Sequence, residues 1–293
     1  MIKAYKVSEQ LFCLEMQDAS PVWAQLAQYQ PFETQNAEGS LFTLRVVDSL
    51  PEFRTESLYK SPRDPGEPVV DLYSTGDGRW YFETAPESSQ PICAAAIAEH
   101  DFSSAALCIR NQAQASFAVN NSMMLMFAFA TACRGVLEMH ASVIEYKGRA
   151  YAFLGKSGAG KSTHSRQWLK AFPDSRLLND DNPIVRVTPD GQVLISGSPW
   201  SGKTPCYINR TLPLGAFVSI RQAPVNRMTK LNILNAYAEV YSSCSGYRAD
   251  RRMADGLHST IEKVVLNLPC YQLECLPDQD AARVCAEAVC SDE

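Results

Sequence analysis

The sequence predicts an α/β protein, α+β overall, in which a strand-rich N-terminal portion precedes a layer of helices around a sheet. Three observations predict it. Short strand-like runs separated by turn residues fill the first hundred or so positions. From about Asn120 the texture changes to helix, hairpin, loop, helix and strand, the pattern of an α/β layer. Between that hairpin and the second helix lies the string GKSGAGKS, residues 155–162. The change of texture puts a soft boundary near residue 118, dividing the chain into 1–118 and 119–293.

In the first portion, residues 11–16 and 41–47 read as short strands. Residues 62–68 (PRDPGEP) read as a loop, and 69–84 as a hairpin around Thr75-Gly76-Asp77-Gly78. No chemical motif falls there, so the role of residues 1–118 stays open. The apolar run MMLMFAFATA, 123–132, is too short to span a bilayer, which takes about 18 or more apolar residues, and predicts a buried core helix.

In the second portion, residues 137–145 and 149–154 form a hairpin across the Tyr146-Lys147-Gly148 turn, where glycine supplies positive φ. A helix is expected over about 161–171 and a strand over 175–180. Residues 215–221 predict a further strand, and 229–241 a helix with Leu231, Leu234, Ala238 and Tyr241 on its core face. A helical segment over 250–268 ends at Pro269; a strand to Leu276 and a helix from Gln279 close the chain. Arg248, Arg251 and Arg252 stand at i, i+3 and i+4 and would share a helix face, either solvated or receiving an acidic or phosphorylated partner.

Composition narrows the function. The chain has 293 residues, 46% of them hydrophobic, enough for one large core or two modest ones. Its 27 basic and 32 acidic residues give −5 with no long basic run, which argues against nucleic acid as a partner. Ten cysteines without a C-x-x-C, beside only four histidines, argue against zinc and against a disulfide framework. The start MIKAYKVSEQ lacks the apolar stretch of a secretory signal, so a cytoplasmic protein with mostly buried thiols and no membrane partner is expected. An oligomer is compatible with all of this.

Residues 155–162 satisfy G-x-x-x-x-G-K-[ST], the P-loop or Walker A pattern. Gly155, Gly158 and Gly160 let the backbone curl so that the amides around Ser157 and Ala159 face phosphate oxygens. The following helix presents its N-terminal amides and positive dipole end to the same group. Lys161 neutralises β/γ charge and Ser162 can ligate magnesium; Lys156 and Thr163 take supporting roles. ATP with Mg2+ is the expected ligand.

Two neighbours bear on what happens to the nucleotide. Asn179-Asp180-Asp181 closes the expected strand after the loop helix. Phosphoryl transfer needs one carboxylate for the metal, and transfer to a hydroxyl also wants a base. Adjacent strand residues point to opposite faces, so the two aspartates suit different jobs. The same string also suits a turn. His140 lies on the strand joined by a tight hairpin to the one that delivers the loop; proximity to the γ-phosphate and an ordinary structural histidine are both open. Gly202 and Lys203, in residues 198–204 (SPWSGKT), suit either an exposed turn or closure over phosphates, with Lys203 as a point charge.

Met139-His140-Ala141-Ser142, then GKSGAGKS, then Asp180-Asp181 together resemble the HPr serine kinase/phosphorylase superfamily, which includes ATP-dependent phosphoenolpyruvate carboxykinases. The resemblance covers residues 120–200 well and 200–290 loosely. It implies a P-loop core of that type, with Lys161 gripping phosphates and Ser162 and Asp180 holding magnesium. Asp181 would be the base, Asp180 its alternative, and His140 would orient the acid pair. Where kinase members acting on the phosphocarrier protein have a Glu-Arg-Gly-Leu-Gly type segment, this chain has residues 198–204, and the acceptor is left open. The expected function is an ATP-dependent kinase acting on a hydroxyl of a protein, peptide or small molecule. The alternative is an ATP-binding regulatory or assembly module with little catalysis.

Overall fold

Strand β1 (Ile2–Val7) folds back on β2 (Gln10–Glu15) through Ser8 and Glu9, which take positive φ of 49° and 66°. Seven further strands follow in the computed structural model, which describes residues 1–202 and 204–290: β3 (Glu33–Thr34), β4 (Thr43–Val47), β5 (Thr55–Lys60), β6 (Val69–Thr75), β7 (Trp80–Ala85), β8 (Ala94–Ala98) and β9 (Ser104–Ile109). They form one sheet in the order β3-β1-β2-β4-β9-β8-β7-β6-β5. The expected hairpin around residues 75–78 is present as β6 and β7, with Gly78 at φ 84°.

Helix α1 (Ala115–Thr131) contains the apolar run and spends it on the core: Met123, Met126 and Phe127 are fully buried. Phe127 meets Phe12 edge-on at 5.6 Å, and the Tyr29 hydroxyl lies 3.1 Å from Asn120 Oδ1. Among the described residues no helix is long and apolar enough to cross a membrane. Because α1 packs with these strands, the first compact unit runs Met1–Ala130, past the boundary expected near 118.

The second unit begins at Thr131. Its elements are β10 (Val136–Glu138), β11 (Ala141–Tyr146), β12 (Arg149–Leu154), α2 (Lys161–Ala171), β13 (Arg176–Asp181), β14 (Ile184–Val187), β15 (Val193–Ser196) and β16 (Thr211–Gln222). After these come β17 (Arg227–Lys230), α3 (Ile233–Ser242), α4 (Arg251–Asn267), β18 (Cys270–Cys275) and α5 (Gln279–Cys290). The sheet order is β10-β14-β15-β16-β12-β11-β13, with β18 beside β16 and β17. The long β16 serves three neighbours: Thr211 to Pro213 pair with β15, Leu214 to Ser219 with β12, and Phe217 to Gln222 with β18.

Strands β12, β16 and β18 are parallel, and β13 runs the same way because it is antiparallel to β11, itself antiparallel to β12. The carboxyl ends of β12 and β13 therefore share one edge of the sheet, where α/β proteins place ligands. Helices α2 and α5 pack together over a core containing Tyr151, Phe153, Trp168, Val218, Ile220 and Leu273. Seven of the ten thiols are buried. The chain is thus mixed α/β, α+β overall.

Several elements depart from expectation. The strand expected over 137–145 is two strands in two pairings: Glu138 pairs with Ile184, whereas Ala141 pairs with Asp181, and the chain crosses between them at Met139 and His140. The helix expected over 229–241 starts later, because Asn232 caps it by accepting from Asn235 N, and Arg227–Lys230 is a strand on β18. Its core face is Ala236 and Val240; Leu234 is 80% exposed. Arg248 lies outside α4, whose N-cap is Asp250, so the three arginines share no helix face; Arg248 sits over the Tyr241 ring at 4.4 Å instead.

Candidate functional site

Residues 155–162 leave the end of β12 and turn directly into α2, which begins at Lys161. Gly155, Gly158 and Gly160 take φ of 143°, 78° and 107°, the region that L side chains rarely adopt. A Cβ on Gly155 would also stand 2.9 Å from the Ala159 Cβ. Ala159 N donates to Lys156 O at 3.0 Å, and Gln222, at the end of β16, donates from Nε2 to Gly158 O at 3.1 Å, tying the tip of the loop to the sheet. Lys156, Ser157 and Gly158 are exposed; Ser162 and Thr163 are half-buried in the first turn of α2. Lys161 Nζ donates to Gly155 O at 2.8 Å, which puts the ammonium inside the curve of the loop.

Two strands away stands the acid pair. Phe153, Ser142 and Asp180 are consecutive cross-strand partners, so they occupy one face of the sheet. Helix α2 covers that face: Ser142 Oγ meets Ser165 Oγ at 2.6 Å, and the Phe153 ring meets His164 at 4.6 Å. Asp180 therefore points to the side of the loop helix, two strand spacings or roughly 10 Å from the strand that delivers the loop. It is only 7% exposed, and its Oδ1 is buried without a hydrogen-bond partner among the described residues.

Asp181 lies at the very end of β13 and meets His140, whose Nδ1 is 3.3 Å from Asp181 Oδ1; the side chains are 46% and 31% exposed. His140 reaches this place because the chain is leaving β10 for β11. His140 N donates to Ser243 O at 2.7 Å and Met139 N to Pro183 O at 3.0 Å, which fix the crossing.

Residues 198–202 form a strap along β13. Ser201 bridges to Asp181, and Gly202 N donates to Asp180 O at 3.3 Å. A Cβ on Gly202 would lie 3.0 Å from Asp180 O and 3.2 Å from Asp181 Cγ, so glycine is what allows the close approach. Trp200, within the strap, is fully buried. Residues 198–200 are buried and Ser201 is half-buried, whereas Gly202 is exposed; Lys203 lies outside the described residues.

Asn179 and Ser198 join strap to strand. Asn179, fully buried, donates from Nδ2 to Ser198 Oγ and to Trp200 O, both at 3.2 Å, and accepts from Asp181 N at 3.0 Å. Ser198 Oγ donates to Asn182 O at 2.6 Å and accepts from Trp200 N at 3.2 Å. In the sequence Asn179 stands out only as the first residue of the Asn-Asp-Asp string, with no motif that marks a role.

Glu138 was missed altogether. It is 2% exposed, its Oε2 has no hydrogen-bond partner among the described residues, and burial pushes its carboxyl up to about 8, with the Asp181 charge adding to the rise. The signal was a single acid in the apolar run VLEM two residues before His140. His164, also unremarked, is a structural residue: buried, it accepts from Trp168 Nε1 at 3.0 Å, and desolvation holds its pKa down to about 4.

The residues fit an anion and a cation. The N-cap of α2 is the left-handed Gly160, which has no side chain to cap the first turn, a helix start that suits an anion. A buried carboxylate oxygen without a partner, as at Asp180, is what a cation would satisfy. Among the described residues no cluster of three or more His, Cys, Asp or Glu could hold a metal alone. That suits magnesium, which takes one or two carboxylates and keeps phosphate and water ligands.

No protein-family model matches the chain, and no curated protein matches it either. The class these features define is a mixed α/β chain with a glycine-rich strand-to-helix loop, and two aspartates and a histidine, at the same edge of the sheet.

Proposed function

We propose that the chain is an ATP-dependent kinase that phosphorylates a hydroxyl of a protein, a peptide or a small molecule, with a P-loop core of the HPr-kinase type. The observation that carries this reading is the convergence of the 155–162 loop, Asp180, Asp181 and His140 at the carboxyl ends of β12 and β13.

The loop amides and Lys161 hold the phosphates and stabilise the charge on the transferring group. Asp180, facing α2, and Ser162 would hold magnesium, which would supply charge neutralisation when bound. Asp181, more exposed and paired with His140, takes the proton of the acceptor hydroxyl. His140 orients Asp181 through its Nδ1. The two carboxylates divide these roles because they leave β13 on opposite faces.

The experiment is release or transfer of label from γ-labelled ATP with magnesium, first with water and then with hydroxyl acceptors. Wild type consumes ATP; Asp181→Asn abolishes consumption while ATP binding persists. Undiminished turnover in that variant rejects Asp181 as base, and tight binding with no turnover for any acceptor makes the chain a nucleotide-binding regulatory or assembly module instead.

A further inference from the structure

The kinase reading uses the loop, the two aspartates and His140, and leaves the Asn179–Ser198 network with no part. That network is built in an unusual place for a merely structural one. Asn179 precedes the acid pair directly, and its three hydrogen bonds reach the Asp181 amide, the Ser198 hydroxyl and the Trp200 carbonyl. Ser198 in turn reaches the Asn182 carbonyl and the Trp200 amide. Between them, the two side chains touch the backbone on both sides of Asp181 and both polar backbone groups of Trp200.

We infer that Asn179 and Ser198 are positioning residues, which fix the end of β13 so that Asp180 is aimed to receive the cation that accompanies the nucleotide; this rests on the reading of the site as one for ATP and magnesium. The end of a strand frays more readily than its middle, and the Asp181 carboxylate is held from outside β13, by His140 and by Asn182 Nδ2 at 2.9 Å. Asp181 is in addition the last residue of its strand. The network reinforces the last rung of the ladder: Asn179 holds the Asp181 amide, Ser198 holds the next carbonyl, and the strap pairs alongside through Ser201 and Gly202. Both side chains are fully buried, so they do not touch ligand and act only through the segments they join.

The test uses ATP as probe, titrated into the full chain in excess EDTA and again in millimolar Mg2+, for wild type, Asn179→Ala and Ser198→Ala. Wild type binds ATP more tightly with magnesium. Both variants keep the metal-free affinity within about twofold and lose most of the magnesium-dependent gain, tenfold or more, because only the acid pair has been displaced. A general loosening of the fold would weaken both affinities alike. Ser198→Ala removes a single hydroxyl and carries the test if Asn179→Ala does not fold. Retention of the full magnesium gain by a folded variant, or equal loss with and without magnesium, overturns the inference. So does a wild type that binds ATP with no magnesium gain, which leaves the nucleotide site standing; a wild type that binds no ATP overturns the kinase reading and the inference together.

Discussion

His140 Nδ1 stands 3.3 Å from Asp181 Oδ1, although Asp181 ends β13 and the histidine belongs to neither strand that flanks it. Their meeting follows from the break between β10 and β11. The chain must cross from the β14 pairing to the β13 pairing, and the crossing residue is delivered to the end of β13.

Replacing this histidine tests its part. His140→Ala lowers the rate of ATP consumption by about 10- to 100-fold, the scale of a lost orienting or proton-handling group, and leaves the KM for ATP within a few-fold. Steady-state release of labelled phosphate reads both. An unchanged rate makes His140 an ordinary structural residue.

The loop glycines hold backbone that other residues resist. Gly160 at φ 107° meets open space, so Gly160→Ala is strained by conformation alone and costs about 1–3 kcal/mol. Gly155→Ala adds a 2.9 Å approach to Ala159 and is the more damaging of the two. Thermal or denaturant unfolding ranks them; equal stability with wild type contradicts the left-handed geometry.

Glu138 makes stability depend on pH. In the unfolded chain its carboxyl titrates near 4.5, and in the folded protein burial and then the Asp181 charge push it up to about 8. Between those values the folded state keeps a proton that the unfolded state has released, so stability falls as pH rises through the window. Below about 4.5 there is no cost, and above about 8 the loss is complete. Glu138→Gln stays neutral throughout and is more stable than wild type at pH 9 by about 3–5 kcal/mol, a difference that vanishes near pH 4. Parallel urea-unfolding curves for the two proteins across that range contradict the burial of an ionisable acid here.

Much of this was legible in the sequence where local chemistry decides local structure. The 155–162 loop, the helix from Lys161 and the Lys147-Gly148 turn follow from glycine positions and periodicity, and they stand where expected. The opposite faces of Asp180 and Asp181 follow from strand alternation. What was not legible depends on pairing across long distances. No local signal marks the break at Met139 and His140, because residues 137–145 are apolar enough for one continuous strand and only the partners β14 and β13 divide them. Nor could a helical period place the start of α3, since Leu231 fits the spacing of Leu234, Ala238 and Tyr241 although the helix begins only after the Asn232 cap, at residue 233. Asn179 and Ser198 are nineteen positions apart and joined only by the strap.

The central claim is that residues 155–162 bind the phosphates of a nucleotide, and the most direct measurement is equilibrium binding of ATP with magnesium to wild type and to Lys161→Ala. The account predicts saturable binding by wild type. In the variant affinity falls about tenfold to a hundredfold, as expected for the loss of charge-assisted hydrogen bonds, with the melting temperature nearly unchanged. A wild type that binds no ATP, or a Lys161→Ala protein that binds it as tightly as wild type, contradicts the claim.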